Sequence, residues 1–178
     1  MLLCVAIWGQ VLIRDAPGVS MTTGTNKPIW YNSIFRHLVD DKRRVQIPHK
    51  WRPADPEVEF TLVLWPNREM QEACLFVFPP EAWIRTMNMI LNLPYVDGES
   101  QSLRRLVGGY SAQVTLDKAG RICIPEEMAQ KAGIEKEAVL HGMLDAFQIW
   151  APERHQQATA MDQHYSNSAY QLLNKQRQ

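Results

Sequence analysis

The sequence predicts an α+β fold, mainly β, made of two pseudo-repeated units with flanking short helices. Three observations predict it. The charged motif Asp40-Asp41-Lys42-Arg43-Arg44-Val45-Gln46-Ile47-Pro48 returns as Asp117-Lys118-Ala119-Gly120-Arg121-Ile122-Cys123-Ile124-Pro125, with Asp40, Arg44, Ile47 and Pro48 meeting their counterparts at an offset of 77. A second echo, Phe78-Pro79-Pro80-Glu81 against Trp150-Ala151-Pro152-Glu153, follows at an offset of 72. Around both motifs lie short apolar runs with partial alternation, bounded by turn-forming residues, which is the pattern of half-buried strands. Parts that recur in the same order mark a repeated unit.

The elements follow in chain order. Residues 1–30 read as a poorly ordered N-terminal extension, punctuated by Pro17-Gly18, Gly24 and Asn26-Lys27-Pro28, and Met21 is a second possible start. The first unit spans 31–93. Tyr31 to Val39 reads as a strand running into the charged turn and a second short strand, a hairpin-like signal that Pro48 ends. The helix expected after it, at His49-Lys50-Trp51-Arg52, is cut short by Pro53. Phe60 to Leu64 and Leu75 to Phe78 are two further strands, with a turn at Pro66-Asn67, and a helix starts at Pro80-Glu81, where proline and an acid suit the first turn.

Residues 94–107 form a linker with a short helix, in which Leu103, Leu106 and Val107 share a face. The second unit, 108–165, repeats the plan. Tyr110 to Leu116 leads into a turn where Gly120 supplies the positive φ that tight turns require. Glu126 to Ala132 is helical and stops at Gly133; Ala138 to Leu140 and Phe147 to Trp150 are strands turning near Asp145; a helix begins at Pro152-Glu153. After Met161 the chain is polar, and 166–178 reads as a fraying tail.

The chain has 178 residues, 46% hydrophobic, with 19 basic and 19 acidic side chains, enough apolar material for a packed core. Disordered and collagen-like classes are excluded. Cys4, Cys74 and Cys123 are widely spaced and odd in number, which argues against a disulfide framework or a zinc ribbon and favours a reducing compartment. The longest apolar run, from Leu2 towards Ile13, is too short to cross a bilayer and lacks a basic region before it, so neither a membrane span nor a secretory signal is expected. Charge is segregated. Residues 36–52 carry net +4 and 53–100 net −6, then 101–124 carry +3 and 125–155 carry −3. Two positive segments, each centred on a D-x-x-x-R turn, are candidate anion-binding faces.

The D-x-x-x-R spacing brings a carboxylate and a guanidinium together across a turn. Asp40 and Asp117 are expected to hold the turns and orient the arginines, while Lys42, Arg43, Arg44, Lys118 and Arg121 project as DNA-binding groups able to reach phosphates or guanine edges. The first turn, with three basic residues, is expected to contribute more than the second. Arg104 and Arg105 read mainly as a solvated helix face, Trp51, Trp65, Trp83 and Trp150 as core or interface, and His37 and His49 as possible extra donors but not metal ligands. An enzyme is disfavoured. Asp40 with Asp41 as a Mg²⁺ site for a metal-dependent phosphodiesterase lacks a third acid, and G-x-S-x-G, P-loop and H-E-x-x-H motifs are missing. No cofactor and no metal are expected.

The paired D-x-x-x-R signatures with their Ile-Pro endings, together with Pro80-Glu81-Ala82-Trp83, Leu103-Arg104-Arg105-Leu106 and Gln148-Ile149-Trp150, resemble the MraZ family of bacterial transcriptional regulators of the division and cell wall gene cluster. The resemblance runs from about Tyr31 to Tyr165. It implies two AbrB-like swapped-hairpin β-barrel units in one chain, assembling into a ring-like homo-oligomer. It also implies binding of double-stranded DNA at short direct repeats in a promoter, mainly as a repressor, in the cytoplasm and at the nucleoid. An antitoxin-like, protein-binding module is the alternative that the same fold family allows. The sequence departs from the family pattern in residues 1–30, in Arg43 where a glycine is usual, and in Pro53 and Pro56. Because a non-glycine residue at positive φ is strained, the first turn is expected to be built differently from the second.

Overall fold

The computed structural model describes residues 28–67 and 72–175. Cys4, Met21, most of the expected extension and the last three residues of the expected tail lie outside the described residues. In chain order the elements are β1 (Ile34–Leu38), β2 (Arg44–Gln46), a 3-10 turn (His49–Trp51), β3 (Phe60–Asn67), β4 (Glu72–Phe78), α1 (Pro80–Leu91) and α2 (Gly98–Gly109). They continue as β5 (Ser111–Val114), β6 (Arg121–Cys123), α3 (Glu126–Ala132), β7 (Glu137–Gly142), β8 (Phe147–Trp150) and α4 (Pro152–Lys175).

Six strands form an antiparallel sheet in the order β1-β7-β8-β4-β3-β5, and β2 pairs with β6 in a separate ribbon. Strands of the two halves interleave. β1 lies on β7 with Phe35 opposite Leu140, β5 lies on β3 with Ala112 opposite Leu62, and β4 meets β8 with Phe76 opposite Gln148. The arms of each charged turn therefore part instead of closing on each other. In the first turn a single bridge, Val39 with Val45, remains of the expected hairpin. The expectation of closed β-barrels is corrected: among the described residues the large sheet stays open, with β1 and β5 at its edges, because β2 and β6 leave it to pair together.

Alternation along the strands sorts side chains into two layers. Phe60, Leu62, Leu75, Val77, Leu140, Phe147 and Ile149 point to one face, where the ribbon residues Val45, Ile47, Ile122 and Ile124 and α3 residues Met128, Ala129 and Ala132 cover them. Trp51 is completely buried there, edge-on to Phe35 at 5.2 Å and tilted against Phe147 at 5.1 Å. On the opposite face Val63, Trp65, Phe76 and Phe78 receive α1 and α2 through Trp83, Ile90, Leu103 and Val107. Cys74, Val139 and Trp150 form a smaller cluster with Ala158 of α4.

Local chemistry accounts for the boundaries. α1 and α4 both start at proline followed by an acid. α2 begins at Gly98, because the Asp97 carboxylate accepts from the Ser100 amide at 2.9 Å and caps the helix. Gly133 closes α3 at φ 66°. Pro66 and Asn67 lie in β3 instead of forming the expected turn: β5 flanks β3 only to Val63, so Pro66 lies on a stretch with a single neighbour, where a missing N–H breaks no ladder. α4 runs to Lys175 instead of fraying after Met161, since its sequence offers neither glycine nor proline to stop it.

α4 is tied to the sheet by a histidine pair, His141 Nδ1 and His155 Nε2 at 2.9 Å, in which one ring nitrogen donates and the other accepts. Burial, then the neighbouring His141 and Arg36 charges, lower the pKa of His155 against a smaller opposing effect of Asp162. Trp51→Ala is predicted to cost about 3–5 kcal/mol in denaturant unfolding. His155 gives a pH signature: below its ordinary pKa of 6.5 the unfolded chain takes up a proton that the folded chain refuses, so stability falls on acidification. The thermal midpoint should drop between about pH 7.5 and pH 5.5 around that value, and His155→Gln should flatten the slope.

Candidate nucleic-acid interface

The β2·β6 ribbon carries the two charged turns side by side, with Val45 opposite Ile122, Arg44 opposite Cys123 and Gln46 opposite Arg121. Each turn is built by its aspartate. Asp40 Oδ1 accepts from the amides of Lys42 and Arg44 at 3.0 and 2.9 Å, and Asp117 Oδ1 from those of Ala119 and Arg121 at 2.9 and 3.0 Å. The Arg43 amide donates to the Asp40 carbonyl at 2.7 Å, and the Gly120 amide to the Asp117 carbonyl at 2.8 Å. The two turns are congruent. The expectation that the first is built differently is therefore corrected: Arg43 adopts φ 58° where Gly120 adopts φ 76°, because the same set of bonds to the aspartate enforces the left-handed conformation on either residue.

The second carboxylate oxygens hold the arginines. Arg44 donates through Nε to Asp40 Oδ2 at 2.8 Å, with Nη2 at 2.7 Å, and Arg121 does the same to Asp117 at 2.9 and 2.7 Å. The pairs also cross. Arg121 Nη1 reaches Asp40 at 3.3 Å and Arg44 Nη1 lies 3.8 Å from Asp117. All four side chains are about one-third exposed, at 29–33%. Hydrogen bonds from the Arg44 side chain and then its backbone hold the Asp40 carboxyl down at about 2, Arg121 lowers Asp117 in the same way, and Asp40 raises the pKa of Arg44. Both guanidiniums are thus held in place by the paired carboxylates.

The other expected contacts sort by position. Lys42 and Lys118 are exposed at the tips. Arg43 turns back against α3, its Nε buried and its Nη2 3.8 Å from Glu126. Arg104 donates to the carbonyls of Leu91 and Leu93 at the end of α1 and covers Tyr95, which commits it to structure. His37 is held neutral by burial and by the nearby Arg52 charge, with Nε2 buried, so it adds no cation, while His49 is exposed. Trp51 and Trp150 are buried, Trp65 packs beneath the helices and Trp83 packs from α1 against Phe78. No group of three or more metal-ligating side chains occurs among the described residues, Asp40 and Asp41 included.

Two contributors escape the motif reading. Gln46 donates through Nε2 to the carbonyls of Ala119 and Gly120, both at 2.9 Å, and its counterpart Cys123 reaches the Lys42 carbonyl at 3.3 Å, so each arm clamps the opposite turn. Arg52 lays its guanidinium over Gly120, where a Cβ would collide with it. The low carboxylate pKa values set a pH window: the contribution of the Asp–Arg bonds is complete above the ordinary carboxylate pKa and lost as pH falls through about 2 at Asp40. The amide resonances of Lys42, Arg44, Ala119 and Arg121 should accordingly stay dispersed down to about pH 4, near the unperturbed carboxylate value, and collapse only below it.

A family model described as "MraZ protein, putative antitoxin-like" matches residues 109–175, which hold the second turn. Proteins named "Transcriptional regulator MraZ" match more of the chain. That of Roseiflexus sp. (strain RS-1) is 34% identical over 140 residues, 78% of this chain and 93% of the relative. That of Lachnoclostridium phytofermentans is 34% identical over 67% of this chain and 80% of its own length. The Shewanella loihica protein is 33% identical over 63% and 73%. With both turns built alike and a relative 34% identical over 78% of the chain, the chain belongs to the MraZ family.

Proposed function

We propose that the chain is a transcription regulator, acting mainly as a repressor, that binds promoter DNA through both charged turns together. The observation that carries this reading is the crossed Asp40–Arg44 and Asp117–Arg121 pairs. They set two guanidinium forks side by side with their directions locked, flanked by exposed Lys42 and Lys118. Locked forks suit guanine edges or phosphates, and the flanking lysines supply sequence-independent attraction. The names of the relatives support regulation of transcription. In this reading the chain is not an enzyme and works in the cytoplasm at the nucleoid; among the described residues no helix is long and apolar enough to cross a membrane.

The interleaved pairing supports the AbrB-like, swapped-hairpin reading, with 31–93 and 108–165 as the two repeats and 94–107 as the link between them. Assembly follows from unlike outer surfaces. The edge strand β1 exposes Ile34 and Leu38, and α1 exposes Ile84, Met89 and Leu91. A contact between two such different surfaces is heterologous, and one whose rotation closes gives a ring of copies. Repeated tips along a ring match direct repeats, as in the promoter of the division and cell wall gene cluster, and gain affinity from effective concentration.

The test is binding to duplex DNA from upstream of the protein's own coding sequence. Affinity should fall about tenfold or more between low and physiological salt, and three repeats should bind far better than one. Arg44→Ala and Arg121→Ala should each weaken binding while the thermal midpoint stays within a few degrees of the parent. A flat salt response would defeat the reading, as would either variant melting far below the parent, which would make the arginine structural. An antitoxin-like module, the second reading suggested by the wording of the family model, would leave the DNA unshifted.

A further inference from the structure

The two turns are congruent in backbone but not in the side chain at their left-handed position, Arg43 in one and Gly120 in the other. The difference is answered across the ribbon. At the repeat offset of 77, Arg52 corresponds to Ala129 and Arg43 to Gly120. Where the turn carries glycine, the facing residue after Pro48 is Arg52, and its guanidinium lies on the Gly120 Cα. Where the turn carries Arg43, the facing residue is the buried Ala129 of α3, and the two line one shallow depression beside Glu126. Besides its Asp–Arg pair, each turn thus has one further guanidinium, but the chain segment that supplies it is exchanged.

We propose that Arg52 is a DNA-contacting residue of the second turn, taking a backbone phosphate beside Arg121. This rests on the DNA-binding reading above. Arg52 Nε donates to the Ile47 carbonyl at 2.9 Å, which fixes the plane of the guanidinium and leaves both Nη groups without a carboxylate partner among the described residues. It is partly exposed, so the guanidinium is open to an anion from solvent. A turn needs only its positive φ to form, and both turns achieve that with different residues. Stereochemistry therefore does not explain why a cation accompanies each; a phosphate at each tip does. The second tip then carries three basic groups, Arg52, Lys118 and Arg121, against Lys42, Arg43 and Arg44 in the first, and the expected advantage of the first turn disappears.

An exchange experiment tests this, with a labelled duplex from upstream of the protein's own coding sequence and an unrelated duplex of equal length as probes. Arg52→Ala should weaken binding to both several-fold and lower the slope of log affinity against log salt by about 0.9 for each phosphate released. Adding Gly120→Arg copies the Arg43/Ala129 arrangement into the second turn and should restore the slope, although the bond to the Ile47 carbonyl is still missing. An unchanged slope in Arg52→Ala overturns the proposal. So does a lowered thermal midpoint with neither slope nor stability regained in the double variant, which would make Arg52 structural. If the parent itself shows no salt-dependent binding, the DNA-binding reading falls and this proposal with it. If Arg44→Ala weakens binding but Arg52→Ala does not, only this proposal falls.

Discussion

Two backbone hydrogen bonds hold the molecule's organisation in place: the Ile47 amide to the Gly120 carbonyl at 3.0 Å and the Ile124 amide to the Arg43 carbonyl at 2.9 Å. Each crosses from one half of the chain to the other, and each acceptor belongs to the residue of a turn with positive φ. The left-handed conformation aims that carbonyl sideways, out of its own turn and at the opposite strand. From this follow the ribbon of β2 and β6, the burial of Val45, Ile47, Ile122 and Ile124 beneath it, and the nearness of two turns that lie 77 residues apart. The candidate interface and the core share one origin.

Holding Arg43 left-handed costs about 1–2 kcal/mol relative to a glycine, and the bonds to Asp40 and Ile124 offset it. The four-membered Asp–Arg cluster is itself neutral, so it attracts no phosphate by net charge; its value is directional. In the proposed DNA complex attraction comes instead from the residues around it, Lys42, Arg43, Arg52 and Lys118, of which Asp41 and Glu126 cancel a part. Orientation and attraction are thus assigned to different residues of one small surface.

Much of this was legible in the sequence, and for definable reasons. Repetition exposed the two turns, and Gly133, Pro80 and Pro152 marked helix ends because each acts through its own backbone. The family resemblance, carried by those same motifs, agrees with the relatives found. Strand partners were not legible: alternation along β1 says which face Phe35 takes, but not that its neighbour is Leu140 of the other half. Arg43 misled because its side chain argues against positive φ, while the aspartate three residues before it dictates that conformation. Arg52 went unnoticed because it lies outside the motif and meets the second turn only through the fold; comparison with Ala129 at the repeat offset was the one available sign. The end of α4 was not legible because polar composition does not separate a fraying tail from a helix without breakers.

The interleaving also bears on how the chain must fold. β1 finds its ladder partner β7 about a hundred positions later, as the pairing of Ile34 with His141 shows, and β2 waits for β6. Such distant pairings make loop closure costly and slow the search for the native state. During synthesis the first half leaves the ribosome with β1 and β2 lacking the strands they are to join, while β3 and β4 can zip together at once. A β3·β4 hairpin with its apolar face uncovered is therefore the natural early species. Until the last third of the chain arrives, that face is open to another nascent copy, and a pairing between two chains would satisfy the same ladders as the pairing within one.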